Sequence, residues 1–212
     1  MTTLTITVFM GFFAMMNPIA NTAVFVGMTA NQTPQQRRKT TFKALTTTFF
    51  IITTFCLLGK GVFEVFGITL PALRLSGGIL VFIVGYHMLQ GQSSKLHSHS
   101  TTASSEDDED IAISPLALPI LAGPGTIATA MNYSASGGII HIMVTIITFA
   151  VLCLITCICF LNGAKLVEKV GADGISITTR LMGLILTIIG TQMFIQGMND
   201  AYVLFQHTNA ST

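Results

Sequence analysis

The sequence predicts an all-α membrane protein: six transmembrane helices arranged as two inverted three-helix repeats, with the first and fourth helices broken near the bilayer midplane. Three observations predict it. Of 212 residues, 51% are hydrophobic and only 9% charged, with a mean hydropathy of +0.72, whereas a soluble domain carries about 25% charged residues. The apolar runs reach the ~20 residues a helix needs to cross a bilayer. A shift of 106 residues also lays the second half of the chain on the first.

The spans run roughly over 4–30, 44–66, 71–90, 111–135, 138–162 and 178–204. Met1–Met10 has no Lys or Arg and no A-x-A pattern follows, so the first span reads as a retained helix rather than a cleaved leader. Its centre holds Asn17-Pro18-Ile19-Ala20-Asn21-Thr22. Proline lacks a backbone donor and clashes with the preceding turn, so the helix must break there. Asn17 is a good N-cap, and Pro18 suits the first position of the helix that follows. The connection Asn31–Lys43 carries Arg37, Arg38, Lys39 and Lys43. Gly59-Lys60-Gly61 through Pro71 reads as the second turn, short and nearly apolar, its start overlapping the end of the second span. The third starts beside Arg74, and Gly77, Gly78 and Gly85 give it a small face for close helix approach.

Residues 92–110 have the composition of a disordered linker, with His97, His99 and the acidic run Glu106–Asp110. They divide a first repeat (1–91) from a second (111–212). The fourth span contains Gly123-Pro124-Gly125-Thr126, a break with glycine as the weaker cap. Ser134–Gly138 is a tight turn into the fifth span. Gly163–Thr179 carries Lys165, Glu168, Lys169 and Asp173 and suits a short surface helix before Gly171. The sixth span opens near Arg180 and Gly183.

The repeat is strongest where Arg74-Leu75-Ser76-Gly77-Gly78-Ile79-Leu80 falls on Arg180-Leu181-Met182-Gly183-Leu184-Ile185-Leu186. From Arg74 to Gly91, eight of eighteen positions are identical. The same offset places Asn17-Pro18 on Gly123-Pro124. An odd number of crossings per copy forces the second copy upside down. The first, third and fifth connections, counting Arg180, carry eight of the ten Lys and Arg residues. The positive-inside rule therefore puts 31–43, 91–110 and 163–180 in the cytoplasm and both termini in the periplasm.

Inverted repeats with broken helices are a recurring plan of secondary transporters, with the site where the copies meet. Each half-helix start offers backbone N–H groups, at residues such as Asn21 and Thr126, and the positive end of a helix dipole to a carboxylate. Carbonyls of Met15, Met16 and Ala122 remain for an ammonium group. The candidate substrate-binding residues are Asn17, Pro18, Asn21, Thr22, Gly123, Pro124, Gly125, Thr126 and Thr129, a small polar lining suited to a small zwitterion. A plain proline kink is the alternative for each break. Arg74, Arg180, Gly77 and Gly183 are candidate structural or gating positions, the arginines having headgroup snorkelling as their simpler role.

No nucleophile–base pair, G-x-x-x-x-G-K-[ST] or H-E-x-x-H pattern is present, so the chain reads as neither an enzyme nor a carrier of a cofactor or metal. Cys56, Cys153, Cys157 and Cys159 read as packing residues. A net charge of +1 argues against a nucleic-acid partner. No Asp or Glu lies at the centre of a span, so proton coupling would fall to Glu64, Asp200, His87, His141 or the substrate.

Phe13-Ala14-Met15-Met16-Asn17-Pro18-Ile19-Ala20, Phe25 and Arg37-Arg38-Lys39 resemble the start of the MarC family. The two Arg-Leu-x-Gly stretches and Pro115–Ile127 are similar to its later motifs, so the resemblance spans nearly the whole chain. Ala20 and Ala23 depart from it, standing where many members have glycine and proline. The resemblance implies a six-helix bacterial inner-membrane protein and, from some members, transport of neutral amino acids such as glycine and alanine with proton coupling. The partners that follow are the lipid bilayer, a small neutral amino acid and a coupling H+ or Na+; a homo-oligomer stays open. A passive channel or exporter of small polar metabolites, and a non-transporting scaffold, are the rival functions.

Overall fold

A computed structural model describes residues 2–91 and 121–210. Every regular element among them is helical: α1 (Thr2–Met16), α2 (Pro18–Met28), α3 (Pro34–Phe66), α4 (Leu70–Leu89), α5 (Pro124–Ala135), α6 (Ile139–Leu161) and α7 (Gly163–Ala210). Among the described residues, five stretches are long and apolar enough to cross a membrane: Thr2–Met28, Pro34–Leu58, Leu70–Leu89, Ile139–Leu161 and Gly163–Gln206. Of the expected fourth span only α5 is described, twelve residues or ~18 Å of helix. The linker 92–110 and residues 111–120 lie outside the described residues.

Three boundaries differ from the sequence expectation. The basic stretch 31–43 is not a loop, because α3 already begins at Pro34. Thr33 and Gln36 form a reciprocal cap there, Thr33 N donating to Gln36 Oε1 at 2.8 Å and Gln36 N to Thr33 Oγ1 at 3.3 Å. Arg37, Arg38, Lys39 and Lys43 thus ride on the first turns of a membrane helix. At its other end α3 runs through Gly59–Gly61 to Phe66, and Gly67 at φ 63° makes the turn. The sixth span is continuous with the predicted surface helix, interrupted only at Gly171, whose φ of 71° and ψ of 167° are not helical.

Among the described residues, hydroxyls are buried and large apolar side chains exposed, as suits a bundle solvated by lipid. Thr22, Thr29, Thr41, Thr145 and Thr156 are fully buried, and each hydroxyl donates to the carbonyl four residues back at 2.6–2.9 Å. Large apolar side chains such as Val65 (81% exposed), Ile139 (76%) and Leu154 (66%) point outward. Lipid tails solvate such a surface, while hydroxyls need partners inside.

Two apolar clusters hold the bundle. In the larger, Phe12 meets Phe149 at 4.9 Å between ring centroids, and Phe25 stacks on Phe160 at 4.3 Å, tying α1 and α2 to α6. The smaller joins Ala14 of α1 to Val81 and Met88 of α4 and to Leu186 and Met193 of α7. Helices α4 and α7 run antiparallel at close range. A Cβ on Gly78 would lie 2.7 Å from the Gly190 carbonyl, and one on Gly85 2.5 Å from Thr187 N. Backbone approach of this kind is open only to glycine.

Candidate functional site

The first break turns on one residue. Asn17 adopts the left-handed conformation, φ 37° and ψ 71°, the only non-glycine positive φ among the described residues. Asparagine tolerates it better than most side chains. Its Oδ1 accepts from Ala20 N at 3.3 Å, capping α2. Asn21 N donates to the Asn17 carbonyl at 3.0 Å, and Asn21 Nδ2 to the Met16 carbonyl at 2.6 Å. Two expectations are corrected here: the Asn21 N–H is not free for a ligand, and the Met16 carbonyl is taken by a side chain. Thr22 also faces elsewhere, its Cγ2 3.1 Å from the Cβ position of Gly163 at the start of α7. What stays open is Asn17 Nδ2, which is buried and has no hydrogen-bond partner in a residue only 3% exposed.

The second break is built differently. Gly123 is the extended N-cap of α5, at φ −61° and ψ 166°, with no side-chain capping bond. Ile127 N donates to the Gly123 carbonyl at 3.0 Å. The N–H groups of Gly125 and Thr126, one turn earlier, have no acceptor among the described residues. Thr126 (3% exposed), Thr129 (1%) and Asn132 (5%) carry the polar face of α5 inward.

The breaks meet through Met15. Its Cε sits where a Cβ on Gly125 would be, with Sδ 3.3 Å from that position. The last turn of α1 therefore lies over the first turn of α5, and only glycine at 125 admits the thioether. The two new helices pack on different neighbours, α5 on α1, α3, α4 and α6, and α2 on α6 and α7. Asn17, Gly123, Gly125 and Thr126 gather around the crossing of α1 and α5, while Asn21 and Thr22 serve α2 itself.

Arg74 ties three helices together at one end of the bundle. Its Nε donates to Asn132 Oδ1 at 3.0 Å and its Nη2 to Ser136 Oγ at 2.8 Å, while Nη1 pairs with Asp200. Ser136 Oγ in turn donates to the Asn132 carbonyl. Asn132 on the inward face of α5 is thus a partner of Arg74. Asp200 and Ser136 were missed as its partners. The available signal was an arginine and an aspartate both falling at span ends on the same side. At the opposite end the guanidinium of Arg180 lies 3.3 Å from the Cβ position of Gly91 and has no ion pair or hydrogen bond among the described residues. A Cβ on Gly77 would lie 3.1 Å from Ala128 Cβ of α5, and one on Gly183 2.5 Å from Leu89 N of α4. The four cysteines are free, and the described residues contain no metal-ligand cluster.

A family model described as "MarC family integral membrane protein" matches residues 2–202. The UPF0056 membrane protein YvbG of Bacillus subtilis is 36% identical over 198 residues, covering 92% of this chain and 94% of that one. A UPF0056 membrane protein of Pyrococcus abyssi is 36% identical over 196 residues, covering 92% and 94%. YhcE of Escherichia coli, also a UPF0056 membrane protein, is 31% identical over 199 residues, covering 92% and 91%. No solved structure matches.

Proposed function

The chain belongs to the MarC family of integral membrane proteins, and from that premise we propose that it is a secondary transporter of small neutral amino acids, glycine- or alanine-like, across the bacterial inner membrane. The observation that carries this reading is the meeting of the end of α1 with the start of α5 at Met15 and Gly125, where Asn17 Nδ2 and the first N–H groups of α5 have no partner among the described residues. The substrate carboxylate takes the N–H groups of Gly125 and Thr126 at the positive end of α5. Asn17 Nδ2 supplies a further donor. Binding requires Met15 to swing off Gly125.

The repeat reading gains support from α4 and α7. Exchanging the two copies at the 106-residue offset turns the contact of Gly197 with Arg74 into that of Gly91 with Arg180, and both contacts occur. A two-fold axis between the third and sixth spans accounts for this, with one copy inverted. The Arg74 network then closes the periplasmic end. Alternation between the ends moves the substrate, coupled to H+ or Na+.

Uptake of labelled alanine into proteoliposomes tests the reading. The wild type shows counterflow exchange of labelled against unlabelled alanine, which a passive channel lacks and a scaffold cannot give. Pro18→Ala combined with Thr126→Val reduces it at least tenfold. Wild-type uptake by that variant, or no counterflow by the wild type, contradicts the proposal.

A further inference from the structure

We propose that the first turns of α3, with the groove that continues from them between α3 and α6, hold one anionic phospholipid. Its phosphate rests on Arg38, Lys39 and Lys43, and one acyl chain follows Phe49, Ala150 and Leu154. This site is separate from the transport site and does not depend on it.

Two adjoining grooves carry the inference. The first, about 880 Å³, is lined by Gln36, Arg38, Lys39 and Lys43 together with Thr33 and Thr47. The second, about 280 Å³, is lined by Leu45, Phe49, Ala150, Cys153, Leu154 and Cys157. Phe42 and Thr46 belong to both, so a basic groove passes directly into an apolar one. No acidic residue occurs in the sequence between Pro34 and Thr47, so the charges carried by this stretch are all positive. Arg38 lies with its guanidinium carbon 5.7 Å from the Phe42 ring centroid, an arrangement that holds the cation at the junction of the two grooves. Arg37 is excluded, since it turns away to donate to the Thr29 carbonyl at 3.2 Å.

The dimensions fit the same ligand. From Arg38 to Phe49 is ~16 Å along the helix, about half of the ~30 Å hydrocarbon core of a bilayer. The path from basic to apolar lining therefore matches one leaflet from headgroup to chain end. Leu154, 66% exposed, stands on the wall of the deeper groove, so that groove opens sideways to the lipid. A soluble phosphate would leave the apolar half empty. Basic residues at a membrane surface favour anionic headgroups over zwitterionic ones.

The test uses the full-length protein in detergent, mixed with phosphatidylglycerol, phosphatidylcholine of the same chains, or glycerol phosphate, and weighed by native mass spectrometry. Phosphatidylglycerol is retained at least fivefold over phosphatidylcholine, and glycerol phosphate is not retained. Arg38→Gln, Lys39→Gln and Lys43→Gln each weaken retention roughly fivefold. Ala150→Leu weakens it with every charge intact, and Lys165→Gln/Lys169→Gln leaves it unchanged. Equal retention of both lipids, retention of glycerol phosphate alone, or full retention by the triple glutamine variant overturns the proposal. So does retention that emerges only after Glu106–Asp110 is neutralised, which would assign the groove to the chain's own acidic run.

Discussion

At Asn17–Pro18 the broken span caps itself: Asn17 Oδ1 holds Ala20 N, and Asn21 reaches back to the Met16 carbonyl. At Gly123–Pro124 no side chain caps α5, and a methionine from the other break covers Gly125 instead. Both breaks follow from proline in an apolar helix, yet they leave different chemistry behind. A capped start satisfies its own donors and becomes a joint. An uncapped start keeps donors for a ligand, provided that whatever covers it can move. The pair thus divides two tasks that one symmetric site would have to share.

The largest expected effect lies at the uncapped break. Gly125→Val places branched carbons where Met15 Cε sits and where the proposed carboxylate would bind, and on that proposal alanine uptake falls about a hundredfold, as for a misplacement of about 1 Å at a binding group. Because the displaced atom is the free end of a flexible side chain, the thermal midpoint in detergent falls by only a few degrees. The reverse pattern is expected at the joint. Asn17→Ala loses the cap and puts a Cβ-only residue at φ 37°, costing about 1–2 kcal/mol, while Asn17→Gly keeps the conformation and costs a few tenths. Thermal unfolding of the two variants checks the order; equal stability would place the strain elsewhere.

The smallest effect is at the Arg74 network, where the side chains of Arg74 and Asp200 are 16% and 34% exposed. Solvent screens such a pair, so Arg74→Gln and Asp200→Asn each cost about 1 kcal/mol. The double variant costs little more than either alone, because the two share one interaction. A cysteine at Ser136 becomes more reactive to a membrane-impermeant thiol reagent when Asp200→Asn loosens the lock. Unchanged labelling would remove the gate from that end.

Much of this architecture was readable from residue order. Long apolar runs and proline positions placed five of the spans, the break at Asn17–Pro18 and the helix start at Pro124, because chain length against bilayer thickness and a missing N–H leave few options. The start of α3 was misread because basic residues suggested a surface connection; Thr33-Pro34-x-Gln36 held the correct signal in its reciprocal cap. The site was half legible. Which residues are small and polar could be seen, but not that Asn21 would bond backward or that Thr22 would face Gly163. The use made of Asn132 and Asp200 depends on how α4, α5 and α7 meet, which no local pattern encodes.

The most direct test is a disulfide between positions 15 and 125. In a background lacking Cys56, Cys153, Cys157 and Cys159, Met15→Cys/Gly125→Cys is oxidised in the membrane with and without saturating L-alanine. Rapid cross-linking that alanine slows several-fold, and that alaninamide, which lacks the carboxylate, leaves alone, is the predicted result. Cross-linking indifferent to alanine, or none at all, would contradict a carboxylate site at the start of α5.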